Sequence, residues 1–238
     1  MKQSVDQRRT VARISGLGVI VMAAGLGKRM KSNQVKVLHH VAGQPMVLYA
    51  VDVALQLAGH RIAVVVGHQS DRVRQAIESG IAGRPGSKSV SIVEQAKQLG
   101  TGHAVMQSRS VFCDDDEARP TNFLILNGDT PLLKEETARE LLRVHHTQSA
   151  TVTILTATLD DPGGYGRVIR RQPGGVHQSE ITPSDVLKIV EDRDAVPVER
   201  ATKEINVGTY VVSGEFLFDA LDKLEPRNAQ NEYFFTSV

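Results

Sequence analysis

Short apolar runs alternate with helix-like stretches up to about residue 160, and this alternation is the strongest constraint on the fold. "LGVIVM" (17–22), "RIAVVVG" (61–67) and "NFLILNGD" (122–129) are predicted to be buried strands, because each is a short apolar run. Helical periodicity covers "QPMVLYAVDVALQLAG" (44–59) and "KEETARELLRVHHTQ" (134–148). Strands that alternate with helices predict an α/β fold with a Rossmann-like, doubly wound, mainly parallel sheet.

The remaining elements of this part follow the same alternation. They are predicted to be a helix over 70–79 with Ser70 as its cap, a strand over 88–95, a helix over 100–112 and a strand over 149–159.

The pattern changes after about residue 160. "GYGRVIRR", "DVLKIVED" and "EINVGTYVV" look like strands joined by turns, so we expect a smaller mixed or antiparallel β extension. Residues 172–185 are rich in Gly, Pro and Ser and are predicted to form a loop. The polar start predicts a flexible N-terminal tail over 1–15, followed by one domain over 16–238.

Charge and cysteine content narrow the function classes. Lys and Arg number 28 against 27 for Asp and Glu, a net charge of +1, which does not indicate long-range attraction for nucleic acid. No apolar run approaches the roughly 18 residues that a membrane span requires. The single cysteine, Cys113, cannot form an internal disulfide, which suits a reducing compartment. We therefore expect a cytoplasmic protein without nucleic-acid or membrane partners, and the sequence leaves its oligomeric state open.

A small-residue turn follows the first strand directly. Its residues let backbone N–H groups approach an anion, and they are Ala23, Ala24, Gly25 and Gly27. Cations follow at Lys28, Arg29, Lys31 and Lys36. A dinucleotide fingerprint would need glycine where Met30 stands, and a Walker A loop would need Ser or Thr where Arg29 stands. The turn itself leaves two interpretations, a phosphate-binding turn or a tight turn beside a solvated charged face.

"MAAGLGKRMKSNQVKVL" (22–38) resembles the signature of the sugar-nucleotide pyrophosphorylases, L-A-A-G-x-G-T-R-M-x4-P-K. Further stretches line up with that family in order, namely "EQAKQLGTGHA", "NGDTPLL", "DDPGGYGRVIR", "IVED", "EINVG" and "NAQNEYFFT". The resemblance runs from about residue 16 to the last residue and is greatest to the uridyltransferase (N-terminal) domain of bacterial N-acetylglucosamine-1-phosphate uridyltransferases. It implies the nucleotide-diphospho-sugar transferase type of α/β fold.

The resemblance also implies a reaction. An oxygen of N-acetylglucosamine 1-phosphate would attack the α-phosphorus of UTP, giving UDP-N-acetylglucosamine and pyrophosphate with Mg²⁺ as cofactor. In bacteria this product would feed cell-wall and peptidoglycan synthesis. Two alternatives remain open: a different hexose 1-phosphate or nucleotide, and a fragment that binds nucleotide without turnover.

Site residues follow from the matching positions. The resemblance implies that the catalytic cations are Arg29 and Lys36. It implies that the nucleotide-binding residues are Ala23, Ala24, Gly25, Gly27, Gln95, Gly100 and Thr101. It implies that the sugar-binding residues are Gly166, Glu191, Asn206 and Thr236, and that the metal ligand is Asp129.

Position and chemistry give Asp129 and Gln95 independent support. Asp129 ends an apolar strand at the carboxyl edge where open α/β sheets bind ligands, and a carboxylate suits Mg²⁺. Its alternative is a turn-forming Asp beside Gly128. Gln95 carries an amide with both a donor and an acceptor, which can read the edge of an uncharged base, and its alternative is a surface position.

Several positions depart from the family pattern. Val35 stands in place of the signature proline, Lys28 in place of a threonine, and Phe234 where tyrosine is frequent. The resemblance leads us to expect a domain that is truncated at its C-terminal end, before an asparagine that supplies the family's second metal ligand, and that lacks the acetyltransferase β-helix. The adjacent histidines at 145–146 are predicted to lie at the surface rather than to bind a metal.

Overall fold

The computed structural model describes residues 13–25, 27, 30–113, 119–171, 186–226 and 228–238. The strands of this described part are β1 (Leu17–Ala23), β2 (His40–Val41), β3 (Gln44–Pro45), β4 (Ile62–Val66), β5 (Val90–Glu94), β6 (Asn122–Asn127), β7 (Val152–Thr158), β8 (Arg167–Arg170), β9 (Val186–Val190) and β10 (Glu204–Ser213). The helices are α1 (Met46–Leu57), α2 (Ser70–Ile81), α3 (Thr101–Gln107), α4 (Arg109–Cys113), α5 (Glu135–Thr147), α6 (Pro197–Arg200) and α7 (Gly214–Leu221). Single 3₁₀ turns cover Lys36–Leu38, Ser87–Ser89 and Phe235–Ser237.

The first half of the chain forms a parallel sheet in the order β5-β4-β1-β6. Apolar side chains cover both faces of these strands. One buried cluster joins the sheet to α1, α2 and α5, and a second joins its other face to α3, α4 and α7. Parallel strands need helices on both faces, and the near-continuous apolar strands of this chain fit that requirement. The predicted doubly wound α/β fold is confirmed.

The second half extends the same sheet with antiparallel strands. β10 pairs antiparallel with β6, β7 and β8, and β9 pairs antiparallel with β8. The predicted antiparallel extension is confirmed, and it is continuous with the parallel strands. β10 shifts register between Asn206 and Tyr210, where Gly208 has a φ of 83°. Such bulges redirect side chains, here at the carboxyl edge of the sheet.

Two local predictions need correction. Gln69, with a left-handed φ of 56°, occupies the position before α2, and Ser70 is its first helical residue. Ser70 is therefore not the cap. The helix predicted over 100–112 is divided into α3 and α4 at Ser108, whose buried hydroxyl donates to the Val105 carbonyl oxygen at 2.7 Å. A hydroxyl that bonds to the preceding turn is a known competitor of helical continuation.

His145 lies in the interior, so its predicted surface position is wrong. Its Nδ1 is 2.8 Å from Thr153 Oγ1 in β7, and its Nε2 is 3.0 Å from Asn122 Oδ1 in β6. The neighbouring His146 is exposed, as predicted. Neighbouring residues of a helix point in different directions, so His145 faces the core while His146 faces solvent.

The described N-terminal residues already contact the domain at Ile14, whose N–H donates to the Leu57 carbonyl oxygen at 2.9 Å. The rest of the predicted tail, residues 1–12, lies outside the described residues. Of the helices that the structure describes, none has the length and apolarity to cross a membrane.

Candidate active site

The carboxyl ends of β1 and β6 meet at one edge of the sheet. Met22 pairs with Asn127, and the N–H of Gly128 donates to the Met22 carbonyl oxygen at 2.9 Å. A Cβ at position 128 would lie 3.1 Å from that same oxygen, tighter than an ordinary van der Waals contact, so glycine favours this close approach of the two strand ends. This contact brings Asp129 beside the turn that follows β1.

Lys36 bridges the turn and the aspartate. Its Nζ lies 2.7 Å from Asp129 Oδ2, and both side chains are about one-third exposed, at 39% and 33%. Gly27, with a φ of 61°, packs against Lys36 so closely that a Cβ would be 2.7 Å from the lysine Cβ. Gly27, Lys36 and Asp129 therefore form one group at the carboxyl edge.

Val35 replaces the signature proline without changing the backbone that proline would impose. Its φ is −58° and its ψ is 145°, values that proline itself adopts. The Val35 side chain is buried in the same cluster as Val37 and Leu38, so core packing holds the loop that carries Lys36.

The predicted turn residues after β1 differ in their exposure to solvent. Ala23 and Ala24 bury their side chains, whereas Gly25 is exposed and a Cβ there would meet nothing within 4 Å. This leaves open space over the Gly25 backbone. Arg29, the other predicted catalytic cation, lies outside the described residues, as does Lys28.

A second group of predicted residues lies at the ends of β4 and β5. Gln95 is 3% exposed, its N–H donates to the Val66 carbonyl oxygen at 2.7 Å, and its Nε2 donates to the Gly100 carbonyl oxygen at 3.0 Å. The alternative that Gln95 is a surface residue is thereby excluded. Gly67 packs against Ala24, and a Cβ at Gly67 would lie 2.7 Å from the Ala24 carbonyl oxygen. A cleft of about 450 Å³ borders this group on the α2 side.

Gly100 and Thr101 hold the C-terminal segment, defined here as residues 228–238. The φ of Gly100 is 109°, and a Cβ there would lie 2.5 Å from the Tyr233 carbonyl oxygen. Thr101 Oγ1 accepts a hydrogen bond from the Phe235 N–H at 2.9 Å, and the Gly102 N–H donates to the Tyr233 carbonyl oxygen at 2.7 Å. The Thr101 side chain thus anchors this segment, a contact that the sequence did not indicate.

The predicted sugar-binding residues converge. The Thr236 hydroxyl donates to Glu191 Oε1 at 3.0 Å, and a Cβ at Gly166 would lie 3.4 Å from the same oxygen. The Asn206 N–H donates to the Gly166 carbonyl oxygen at 2.9 Å, and Asn206 Nδ2 donates to the Tyr210 hydroxyl at 2.6 Å. Residues from four separate parts of the chain therefore share one cluster.

Burial raises the pKa values of two side chains in this cluster. Burial raises the pKa of Glu191 above its ordinary value; the Thr236 hydrogen bond lowers it in part, and the nearby Asp194 and Asp192 raise it further. Burial likewise raises the pKa of Tyr210, so its hydroxyl stays neutral and can accept from Asn206. A carboxyl group with a raised pKa beside amide and hydroxyl groups offers both acceptors and donors to a polyhydroxylated ligand.

Sequence reasoning missed an ion pair next to this cluster, between a buried arginine and a partly exposed aspartate. Arg167 is 1% exposed, and its Nη2 lies 2.9 Å from Asp192 Oδ1 while its Nη1 donates to the Tyr165 carbonyl oxygen. Arg167 follows Gly166 directly and Asp192 follows Glu191 directly, so the pair fixes the two strand ends against each other. The only available signal was an arginine inside "GYGR" and an aspartate inside "IVED".

The cluster of predicted sugar-binding residues, called the sugar cluster below, lies at the same edge as Asp129. β10 runs antiparallel to β6, so the start of β10, which carries Asn206, lies at the carboxyl end of β6. Asn127 Nδ2 donates to the Val207 carbonyl oxygen at 3.3 Å, and a Cβ at Gly208 would collide with the Asn127 amide. The three groups therefore line one edge of the sheet.

Asp129 can provide one of the ligands that Mg²⁺ prefers. It supplies hard carboxylate oxygens, and this ion prefers one or two carboxylates completed by phosphates and water. Among the described residues, no group of three or more His, Cys, Asp or Glu side chains could hold a metal by itself. Asp129 therefore fits a metal that arrives with a phosphate ligand.

Comparison with known proteins identifies the class. The family model of the MobA-like NTP transferase domain matches residues 19–230, and the chain belongs to this family of nucleotidyltransferases. It is similar to the bifunctional protein GlmU of Bacillus subtilis (43% identity over 219 residues, 92% of this chain and 43% of the relative). It is similar also to GlmU of Geobacter metallireducens (40% over 222 residues, 93% and 42%). The predicted family is confirmed.

The chain spans less than half the length of these two relatives, 43% and 42%. Among solved structures it is similar to UDP-glucose pyrophosphorylase complexed with UDP-glucose, with a TM-score of 0.69, 15% identity, and coverage of 92% of this chain and 83% of that one. The apo form of UDP-glucose pyrophosphorylase gives a TM-score of 0.67 at 16% identity. At these identities the likeness concerns the fold.

Proposed function

We propose that this nucleotidyltransferase domain transfers the uridylyl group of UTP to N-acetylglucosamine 1-phosphate, releasing pyrophosphate and forming UDP-N-acetylglucosamine. The observation that carries the proposal is the contact of Lys36 with Asp129 at the edge where the Gly25–Gly27 turn ends. The sugar cluster around Glu191 lies at the same edge. The similarity to GlmU supports the choice of substrates.

The reaction poses an electrostatic problem, because two anions must approach each other. At about 4 Å and an effective dielectric constant near 20, each pair of unit charges repels by roughly 4 kcal/mol. The chain as a whole carries a net charge of only +1, so neutralisation has to be local. Lys36 supplies one cation at the edge, and we assign Arg29 the role of a second on the basis of the signature.

Asp129 is the residue proposed to hold Mg²⁺. The bound ion would supply positive charge to the phosphates, which favours phosphoryl-type transfer through positioning and charge neutralisation. Lys36 then has two acceptors within its reach, the carboxylate and the substrate phosphate. We propose that its ammonium group turns from Asp129 toward the phosphate when UTP binds, while the Gly25 and Gly27 backbone lies against the triphosphate.

The sugar cluster has polar capacity left for a ligand. Asn206 Nδ2 uses one hydrogen on Tyr210, and Asn206 Oδ1 accepts from the Gly208 N–H at 3.0 Å, so each end of the amide retains one bond. Among the side chains that the structure describes, Glu191 accepts a hydrogen bond from Thr236 alone, through Oε1. We propose that these free positions bind the sugar hydroxyls and the acetamido group.

A coupled pyrophosphate-release assay tests the proposal. The purified chain is supplied with Mg²⁺, UTP and N-acetylglucosamine 1-phosphate, and then with a panel of other hexose 1-phosphates and nucleoside triphosphates. Highest turnover with the named pair supports the proposal, whereas highest turnover with another pair moves the assignment to that substrate. UTP binding without any pyrophosphate release would favour a nucleotide-binding fragment instead. Because UTP is an intracellular metabolite, the proposal implies a cytoplasmic location and a role in cell-wall precursor synthesis.

A further inference from the structure

The carboxamide of Gln95 is held in one orientation. Its Nε2 lies 3.0 Å from the Gly100 carbonyl oxygen and 2.9 Å from His103 Nδ1, and the side chain is almost fully buried. A carbonyl oxygen only accepts, so the end of the amide that faces Gly100 must be the nitrogen. The hydrogen-bond network therefore determines which way the amide points.

His103 completes this arrangement. Gln95 Nε2 donates to His103 Nδ1 at 2.9 Å, the shorter of the two ring contacts, so Nδ1 carries the lone pair of a neutral ring whose hydrogen is on Nε2. Gln107 Nε2 lies 3.3 Å from this Nε2 and donates to the His103 carbonyl oxygen at 3.1 Å. Burial lowers the pKa of His103, which favours that neutral form. Both hydrogens of the Gln95 amide are then used, one by Gly100 and one by His103. Its Oε1 remains as the only group that the carboxamide can offer to a ligand.

We propose that His103 is a positioning residue that makes Gln95 present an acceptor to the nucleobase, so that the site selects a base with an N–H donor there. Uracil carries a donor at N3, whereas cytosine carries a lone pair. The inference rests on the proposed function and on the prediction from the sequence that Gln95 contacts the base. It adds to the proposed function that the choice between uracil and cytosine depends on the hydrogen bond from Gln95 to His103, which does not itself contact the base.

Cytosine is expected to bind poorly at Gln95, because its N3 offers no hydrogen-bond donor. With Gln95 as observed, the cytosine N3 lone pair would face Oε1, and two acceptors in a buried contact repel each other. Turning the amide over would break its bonds to Gly100 and His103 and would place Oε1 against the Gly100 carbonyl oxygen. Sites that use buried polar groups in this way discriminate strongly, by a factor on the order of 10⁴ when no partner remains.

Two substitutions at one position test the inference. His103→Leu removes the acceptor, whereas His103→Asn retains an acceptor at the place of Nδ1. The measurements are kcat/KM for UTP and CTP with the sugar phosphate, and calorimetric binding of both nucleotides without it. We expect His103→Leu to reduce the UTP preference about tenfold, the effect of one hydrogen bond on an equilibrium. His103→Asn should retain the preference of the wild type, which a merely structural role of the ring would not explain.

A ligand-side measurement covers the case in which His103→Leu does not fold. The wild-type chain is titrated with 3-methyl-UTP, in which a methyl group replaces the hydrogen of the N3–H donor while both carbonyl oxygens remain. Binding at least about tenfold weaker than that of UTP supports the inference. Equal binding of the two nucleotides, or an unchanged preference in a folded His103→Leu, would overturn it.

The two proposals fail in distinguishable ways. If the wild type binds UTP in preference to CTP but releases no pyrophosphate, the proposed function fails and the binding ratios of the variants still decide the role of His103. If it turns over UTP and CTP equally well, the nucleotidyltransferase assignment stands and the role of His103 is overturned. If it binds neither nucleotide, both proposals are wrong.

Discussion

At the scale of single residues, the pairing of Lys36 with Asp129 carries most of the functional argument. The two residues are 93 positions apart in the sequence, and their charged atoms meet at 2.7 Å. Partly exposed ion pairs of this kind contribute only about 0–1 kcal/mol to stability. The pair therefore bears on binding and catalysis more than on the folding of the domain.

Replacing Lys36 distinguishes a role in catalysis from a role in the stability of the fold. We expect Lys36→Ala to lower kcat/KM by roughly 10²–10³, the usual cost of losing one preorganised group that stabilises the transition state. The midpoint of thermal unfolding should change little, because the ion pair is exposed. Lys134→Ala, at an exposed lysine just before α5, is the matched control and should keep its turnover. Near-normal turnover in Lys36→Ala would rule out the proposed role of Lys36 in neutralising the substrate phosphates.

Asp129→Asn tests the metal ligand with almost no change in shape. An amide oxygen is a weaker ligand than a carboxylate, so activity should require a higher Mg²⁺ concentration and reach a lower maximum. The measurement is pyrophosphate release over a Mg²⁺ titration. Asp52→Asn, which removes a carboxylate paired with Arg84 outside the site, serves as the control. An Mg²⁺ dependence equal to that of the wild type would exclude Asp129 as the ligand.

Val35→Pro tests whether the departure from the signature proline is neutral. The observed φ of −58° lies within the range of proline, and no described residue accepts a hydrogen bond from the Val35 N–H. A compatible proline stabilises by about 0.4–1 kcal/mol through the unfolded chain, and the smaller ring fills the buried site less completely. We expect the free energy of unfolding to remain within about 1 kcal/mol of wild type, measured by urea denaturation. A loss of several kcal/mol would show that Val35 is required for its packing.

At the scale of elements, the C-terminal segment connects the two halves of the proposed site. The Tyr233 N–H donates to the Leu99 carbonyl oxygen at 2.7 Å, Phe235 bonds to Thr101, and Thr236 bonds to Glu191. The segment therefore runs from the start of α3 to the sugar cluster. Its hydrogen bonds therefore connect the proposed nucleotide-binding residues to the proposed sugar-binding residues.

Thr101→Val removes one anchor of this segment while keeping the shape of the side chain. The Phe235 N–H loses its acceptor, so we expect its hydrogen exchange to accelerate about tenfold, the effect of one hydrogen bond. Thr147→Val is the control, because the Thr147 hydroxyl donates to the Arg143 carbonyl oxygen at the exposed end of α5. Exchange by NMR or mass spectrometry reports the change, and unaltered protection of Phe235 would show that the segment is held by its other contacts.

At the scale of the whole molecule, helices cover both faces of one sheet, and its two edges carry different groups. The carboxyl edge carries the proposed site. The opposite edge carries His145, whose ring joins α5 to β6 and β7 through Asn122 and Thr153. Burial, and secondarily the neighbouring His146, lower the pKa of His145 below its ordinary value of 6.5. The folded protein therefore favours the neutral ring.

This predicts an acid-sensitive contribution to stability. The unfolded chain binds a proton at His145 more readily than the folded chain, so stability is fully present above about pH 6.5 and is lost as the pH falls toward the lower folded pKa. His145→Gln should make the free energy of unfolding less dependent on pH in this range. His146→Gln, at the exposed neighbour, should leave the dependence as it is in the wild type. Equal slopes in wild type and His145→Gln, measured by denaturation at several pH values, would contradict the prediction.

Much of the candidate site could be proposed from the sequence, because short stretches of residues indicate it. The turn at 23–27, the strand that ends before Asp129 and the region around Gln95 were all indicated by local spacing and by the family resemblance. Arg167 and the Thr101 hydroxyl were missed because their partners lie on other elements. Nothing within a few residues of either position indicates burial or a bond to a distant segment.

The order of strands and helices was determined by the sequence itself, because the periodicity of apolar residues is a local property and specifies each element before any contact forms. Tertiary structure alone decided which elements meet. It placed His145 in the core and His146 outside, made β10 the strand that joins the parallel and antiparallel parts, and brought Gly166, Glu191, Asn206 and Thr236 together. These outcomes depend on strand pairing and packing between residues far apart in the chain, and such long-range contacts leave no periodic trace in the sequence.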